Sequence, residues 1–93
     1  MFTGIITAIG RVTDIEEGDD LRRIRIDTPE GWMAETLIGD SISVDGACLT
    51  PIAVDADGFV VEAVKSTLER TRVGTYAPGA PVNLEKAMRL GDR

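Results

Sequence analysis

Side chains alternate with a period of two through most of this 93-residue chain, and that alternation narrows the available folds more than any other feature. Ile24 and Ile26 alternate with Arg23, Arg25 and Asp27, the pattern of a strand with one covered and one wet face. Between Thr3 and Ile15, Ile5, Ile9 and Ile15 fall on one face and Ile6, Ala8 and Val12 on the other. That strand is expected to be covered on both sides. Gly18-Asp19-Asp20 is a turn. Ile42 and Val44 alternate into a bend at Asp45-Gly46, and Ala47 to Val54 continues as a strand. Asp57-Gly58 reads as a hairpin turn because both residue types tolerate positive φ. Phe59 to Val64 returns, and Val82 and Leu84 alternate with Asn83 and Glu85 in a last strand. Pro51 offers no amide to a ladder, which predicts an edge or a bulge there.

Two helical segments interrupt the strands. Thr28-Pro29 suits a helix start, with threonine as cap and proline in the first position, and the helix is expected to reach about Thr36 with Gly39 helping to end it. Ser66-Thr67-Leu68-Glu69 has the form of a capping box and predicts a second helix from about Thr67 to Val73. Aromatic residues make up only 4% of the chain, so the core must be built from Ile, Val, Leu and Ala, which favours β-structure. About six short strands in a single domain spanning residues 1–93 hide their edges most easily by closing into a barrel.

Charge and composition exclude several classes of function. The formal net charge is −6, whereas a nucleic-acid-binding domain carries a basic face. One cysteine, Cys48, allows no internal disulfide, and the absence of histidine argues against a zinc site. The amino terminus has no basic patch followed by an apolar run, and no apolar stretch approaches the length of a membrane span, so the expected location is the cytoplasm and no membrane partner is expected.

Four segments say more than periodicity does. MFTGII at the start, DSISVDGACLT in the middle, KSTLERT after the hairpin and VNLEKAMRLGDR at the end resemble riboflavin synthase in order and spacing, over essentially the whole chain. The resemblance implies an all-β fold, a closed six-stranded antiparallel Greek-key barrel with two short helices. It also implies one half of an enzyme built from two similar barrels in tandem, since the family continues beyond this point into a Gly-Gly-His stretch and a second barrel. The full enzyme is a homotrimer whose active sites pair an amino-terminal barrel with a neighbour's carboxy-terminal barrel. It moves a four-carbon unit between two molecules of 6,7-dimethyl-8-ribityllumazine, giving riboflavin and 5-amino-6-ribitylaminouracil, and uses no cofactor and no metal. An isolated barrel of this kind is expected to form a homodimer that covers its mating surface and to bind ligand with little or no turnover.

By the same resemblance the ligand-binding residues are Gly4, Ile5 and Ile6, then Cys48, Leu49 and Thr50, then Glu62, Ala63, Val64, Lys65, Ser66 and Thr67, expected to meet at one mouth of the barrel. The ligand's pyrimidinedione ring alternates carbonyls with an N–H, which strand backbone can match, and its ribityl tail calls for hydroxyl and charged side chains. Cys48 is the catalytic candidate, near the ring edge where methyl protons are lost; a lone cysteine is otherwise most often a small buried hydrophobe. Ser66 is equally explained as a helix cap, Glu62 and Lys65 as solvated face charges, and Gly4 as a bend. Asn83 and Phe2 are weaker candidates. The chain departs from the family pattern at Asp45, Ala47, Pro51 and Ser66, where the family often has Asn, Val, Val and Glu. A non-catalytic lumazine or flavin carrier of the antenna type shares the fold and is the alternative function; a small barrel with an unrelated ligand is the third.

Overall fold

The structure is a computed structural model and describes residues 7–34 and 36–86. Seven strands form one antiparallel sheet: β1 (Ala8–Gly18), β2 (Leu21–Asp27), β3 (Ile42–Val44), β4 (Ala47–Leu49), β5 (Pro51–Asp55), β6 (Gly58–Val64) and β7 (Pro81–Lys86). A helix, α1 (Lys65–Arg70), and a 3₁₀ turn over Arg72–Thr75 lie between β6 and β7. The strand order is β4-β3-β7-β1-β2-β6-β5. The two outer strands are consecutive in the chain and separated only by Thr50, so the sheet curls into a nearly closed barrel. The expected strand from Ala47 to Val54 is thus two strands, which turns six into seven without changing the architecture. Pro51 sits where the sequence placed an irregularity: the β5–β6 register shifts between Pro51 and Ala53, leaving Ile52 bulged outward.

The inward positions follow the alternation. Val12, Ile24, Ile26, Ile42, Val44, Phe59, Val61, Val82 and Leu84 are fully buried or nearly so, and register stacks them: Val12 opposite Ile26, Ile24 opposite Val61, Ile26 opposite Phe59, and Val44 opposite Leu84. The outer face of β1 differs from expectation, because Ile9 is half exposed while Val12 points into the core. Outside the barrel, charges pair across strands. Arg25 donates to both oxygens of Asp55 at 2.6 and 3.0 Å, and Arg23 donates to Glu62 at 2.6 Å. Arg25, with the Asp57 amide next, holds the Asp55 carboxyl well below the usual carboxylate range. That stabilisation is present above the ordinary carboxylate pKa and fades as pH falls through the lowered one.

Three local expectations are corrected by the backbone. The described residues between 28 and 36 form no α-helix; bonds from the Trp32, Ala34 and Thr36 amides to the Pro29, Gly31 and Met33 carbonyls make successive turns with a bond from the fourth residue back to the first. Gly31, with φ +81°, lies in the left-handed region and cannot continue a right-handed helix. The capping box does not form either. β6 runs unbroken to Val64, the Lys65 amide donates to Asp20 O at 3.0 Å, and α1 starts at Lys65 with no side-chain cap, so Ser66 is already inside the first turn. Finally, the mirror-image hairpin turn is Asp45-Gly46, with φ +48° and +88°, rather than Asp57-Gly58. At the β5–β6 connection the Asp55 carboxylate accepts from the Asp57 and Gly58 amides, and neither Asp57 nor Gly58 needs positive φ.

Gly58 is instead a point of close approach. A Cβ there would lie 2.2 Å from Ile26 O and 2.9 Å from Asp27 Cα, both β2 backbone that cannot swing aside. Gly58→Ala should destabilise the domain toward the upper end of the about 1–3 kcal/mol typical of overpacking. Gly18→Ala, whose Cβ would meet only ordinary contacts beginning at 3.7 Å, should be nearly neutral. Urea denaturation of the two variants side by side checks this, and equal midpoints would remove the close-approach explanation.

Candidate ligand-binding site

The barrel wall has a seam. β3 pairs with β4 through Ile42–Leu49, Ser43–Cys48 and Val44–Ala47, and β5 pairs with β6 from Pro51–Val61 to Asp55–Gly58. Where β4 hands over to β5, the pairing partner changes from β3 to β6. Among the described residues no ladder joins β4 to β6, although the two strands touch. The edge of Ala47–Leu49 away from β3 therefore faces Glu62–Val64, the part of β6 beyond its β5 ladder, across a gap that no ladder bridges.

Two of the three predicted segments meet at this gap. Leu49 and Ala63 point into the core, so they offer backbone only; Cys48 and Thr50 face outward on one lip and Val64, half exposed, on the other. Cys48 is exposed, which removes the reading of it as a small core residue. Lys65 and Ser66 are exposed at the start of α1, and Thr67 is half-buried, its carbonyl accepting from the Thr71 amide at 3.0 Å and the Thr71 hydroxyl at 2.7 Å. The Glu62 carboxylate is held by Arg23 on β2 through two bonds, 2.6 and 3.0 Å, and so is turned away from the gap. Asn83 is exposed on β7 and is tied by its backbone to Asp45, away from the gap. Gly4, Ile5, Ile6 and Phe2 lie outside the described residues. The gap is on the wall beside the barrel end that α1 covers. A separate cleft of about 410 Å³, lined by Met33, Thr36, Val54 and Asp57 among others, lies at the far end of β6.

The lumazine-binding family matches residues 3–87, under the description "Lumazine binding domain". The chain belongs to that family. It is 44% identical over 94 residues to riboflavin synthase of Mycobacterium tuberculosis, covering all of this chain and 46% of the relative. It is 42% identical over 90 residues to riboflavin synthase of Photobacterium phosphoreum, covering 95% of this chain and 40% of the relative. The chain thus spans about half the length of the curated relatives it matches. Among solved structures, LumP complexed with riboflavin superposes with a TM-score of 0.86 at 26% identity, over 98% of this chain and 51% of LumP. LumP complexed with 6,7-dimethyl-8-(1'-D-ribityl) lumazine gives 0.86 at 26% identity, over 94% of this chain and 49% of LumP.

Further side chains brace the barrel end beside the gap, and of these sequence reasoning had not singled out Tyr76 or Arg22. Tyr76 is buried, and its hydroxyl donates to Asp45 Oδ2 at 2.5 Å. Asp45 Oδ1 accepts from the Asn83 amide at 2.8 Å, and the Asp45 amide donates to Asn83 O at 2.8 Å. Arg22 donates to the carbonyls of Val73 and Tyr76, both at 3.0 Å. Only the tyrosine itself signalled this, as a large side chain with a polar tip in a chain short of aromatics.

Burial, and next the Asp45 carboxylate, push the Tyr76 phenol above its ordinary value. Because the folded-state pKa is raised, the associated stability is present below the ordinary tyrosine pKa of about 10 and is lost as pH rises through the folded one. Tyr76 is the chain's single tyrosine, so alkaline difference absorbance reads it alone. Tyrosinate should emerge only above pH about 10. Asp45→Asn should lower the midpoint part of the way, since burial remains. A midpoint at the ordinary value in the wild-type domain would contradict the buried pair.

Proposed function

We propose that this domain binds 6,7-dimethyl-8-ribityllumazine and riboflavin over the β4–β6 gap and serves as the amino-terminal half of a riboflavin synthase. The observation that carries the reading is the pair of unpaired strand edges, bordered by the segments Cys48–Thr50 and Glu62–Thr67 of a lumazine-binding family member. A planar pyrimidinedione needs an alternating set of acceptors and donors, and a free strand edge supplies one at a fixed spacing. Val64 and the apolar neighbours of the gap take the ring face. In this reading Thr50, Lys65, Ser66 and Thr67 meet the ribityl hydroxyls. Glu62 joins them only by leaving Arg23, so its role is to fix the wall.

In the whole enzyme two lumazines exchange a four-carbon unit. One loses it and becomes 5-amino-6-ribitylaminouracil; the other gains it and becomes riboflavin. The substrate's own methyl group is acidic because its anion delocalises into the ring. The protein's share is then to hold two rings in reacting geometry and stabilise charge, which suits a site rich in backbone and poor in acid–base side chains. Cys48, exposed on the lip of the gap, contacts the ring edge in this reading. A cytoplasmic setting belongs to the same proposal. A second reading is a carrier that binds without turnover, since the LumP structures, similar in fold, hold riboflavin and a ribityl lumazine.

Riboflavin titration followed by flavin fluorescence tests binding: a change that saturates at one ligand per chain is expected, and no change at millimolar ligand would count against the assignment. Thr50→Ala and Thr67→Ala should each weaken binding by about 0.5–1.5 kcal/mol if each hydroxyl makes one ordinary hydrogen bond. Unchanged affinity in both would assign the work to backbone.

The same proposal covers assembly. Ile9, Leu37, Ile38 and Val64 leave apolar surface exposed, and a homodimer is the expected way for the lone barrel to cover it; the homotrimer belongs to the full-length enzyme. Light scattering giving a mass near 10.0 kDa at every concentration would overturn the dimer. Brisk conversion of lumazine to riboflavin by this domain alone would overturn the need for a second barrel. Turnover restored by adding that barrel would exclude the carrier reading.

A further inference from the structure

We infer that the Tyr76–Asp45 hydrogen bond is a strut that sets the spacing across the β4–β6 gap, which makes Tyr76 and Asp45 positioning residues for the ligand. The inference rests on the binding reading above and deepens it. With no ladder joining β4 to β6 among the described residues, three bonded paths connect the two lips beside their direct packing in the core. One passes around the whole barrel, through β3, β7, β1 and β2, and accumulates the small freedom of every strand pair. The second is the chain itself through Thr50 to β5, whose ladder to β6 bulges next to Pro51. The third is short and runs over the barrel end. From α1, the Thr67 carbonyl accepts from the Thr71 hydroxyl at 2.7 Å, and that oxygen accepts from the Val73 amide at 3.2 Å. The chain then reaches Tyr76, whose hydroxyl donates to Asp45 at 2.5 Å, two residues before β4 begins.

Both ends of this path are anchored. Arg22, whose side chain is 13% exposed, pins the 3₁₀ turn to β2 by donating to the carbonyls of Val73 and Tyr76. On the other side Asp45 is locked to β7 by exchanging two backbone-linked bonds with Asn83. Val73 and Tyr76 are buried in the core, so the strut is packed as well as bonded. Removing the phenol oxygen leaves Asp45 Oδ2 without that donor and frees the β3–β4 turn to shift relative to α1. The lip carrying Cys48 and Thr50 moves with the turn. An asparagine at 45 keeps an acceptor for the Asn83 amide, and its NH₂ can donate to the phenol oxygen, so the strut survives that exchange.

The test measures riboflavin affinity for wild type, Tyr76→Phe, Asp45→Ala and Asp45→Asn, each well below its own melting temperature, with the melting midpoint recorded in parallel. Tyr76→Phe and Asp45→Ala should bind about five- to tenfold more weakly, the equivalent of one net hydrogen bond. Asp45→Asn should stay close to wild type. A purely structural role would lower the midpoints and leave the affinity of the folded protein unchanged, and that result overturns the strut. If Asp45→Ala fails to fold, Tyr76→Phe, which deletes one oxygen, carries the test by itself. Wild-type protein that leaves riboflavin fluorescence unchanged is a different outcome: it overturns the binding reading, and the strut's role falls with it.

Discussion

The chain from Ala47 to Asp55 pairs with two different neighbours, and the barrel depends on that change of partner. Its first half completes the β3 ladder; its second half completes the β6 ladder. Had one neighbour kept the whole length, the sheet would have ended in two long free edges, an invitation to edge-to-edge association. Pro51 makes the switch local. It lacks the amide that a continuous ladder would use at that point, its ring is buried, and the bulge beside it pushes Ile52 out of register. The side-chain alternation survives the switch, with Ala47, Leu49 and Pro51 inward and Cys48 and Thr50 outward, so the core remains continuous while the hydrogen bonding does not.

For the proposed binding reading, the consequence is a site made chiefly of backbone. The β3 and β5 ladders both stop short of this stretch of wall, which lies beside core positions Leu49 and Ala63. Elsewhere on the wall, cross-strand pairs such as Arg25–Asp55 and Arg23–Glu62 hold their carboxylates away from the gap. Such exposed pairs contribute little stability each, and their placement matters more here than their energy. Lys86 lies over the Trp32 ring at 4.6 Å and donates to the Trp32 carbonyl, tying the 28–40 segment across the barrel end opposite to Tyr76. An aromatic side chain thus lies at each barrel end, in a chain with few aromatics.

Much of this was legible from residue order. Alternation located all but one of the strands, and the core residues Ile24, Ile26, Ile42, Val44, Val82 and Leu84 are among those it placed on a single face. The family segments directed attention to Cys48–Thr50 and Glu62–Thr67, which the fold brings to one gap. The misreadings share a cause. Thr28-Pro29 and Ser66–Glu69 carry good local helix signals, yet Gly31 adopts positive φ in one case, and in the other the β6 ladder carries the chain past Ser66 before the helix can start. Capping preferences of about 1 kcal/mol yield to such tertiary demands. Asp57-Gly58 looked like a turn needing positive φ, when its glycine answers a contact with Ile26 and Asp27 on β2, far away in sequence.

By itself the sequence determined the class of fold, much of the inward set of side chains, the irregularity at Pro51 and the family, because these depend on periodicity, on the chemistry of one residue, or on motifs in register. Only the tertiary structure decided that β4 and β6 meet without a ladder, that Glu62 is held by Arg23, and that Tyr76 reaches Asp45. These facts depend on which strands become neighbours when the sheet closes. Closure is a property of the whole sheet's curvature and stagger, which no local stretch of residues encodes.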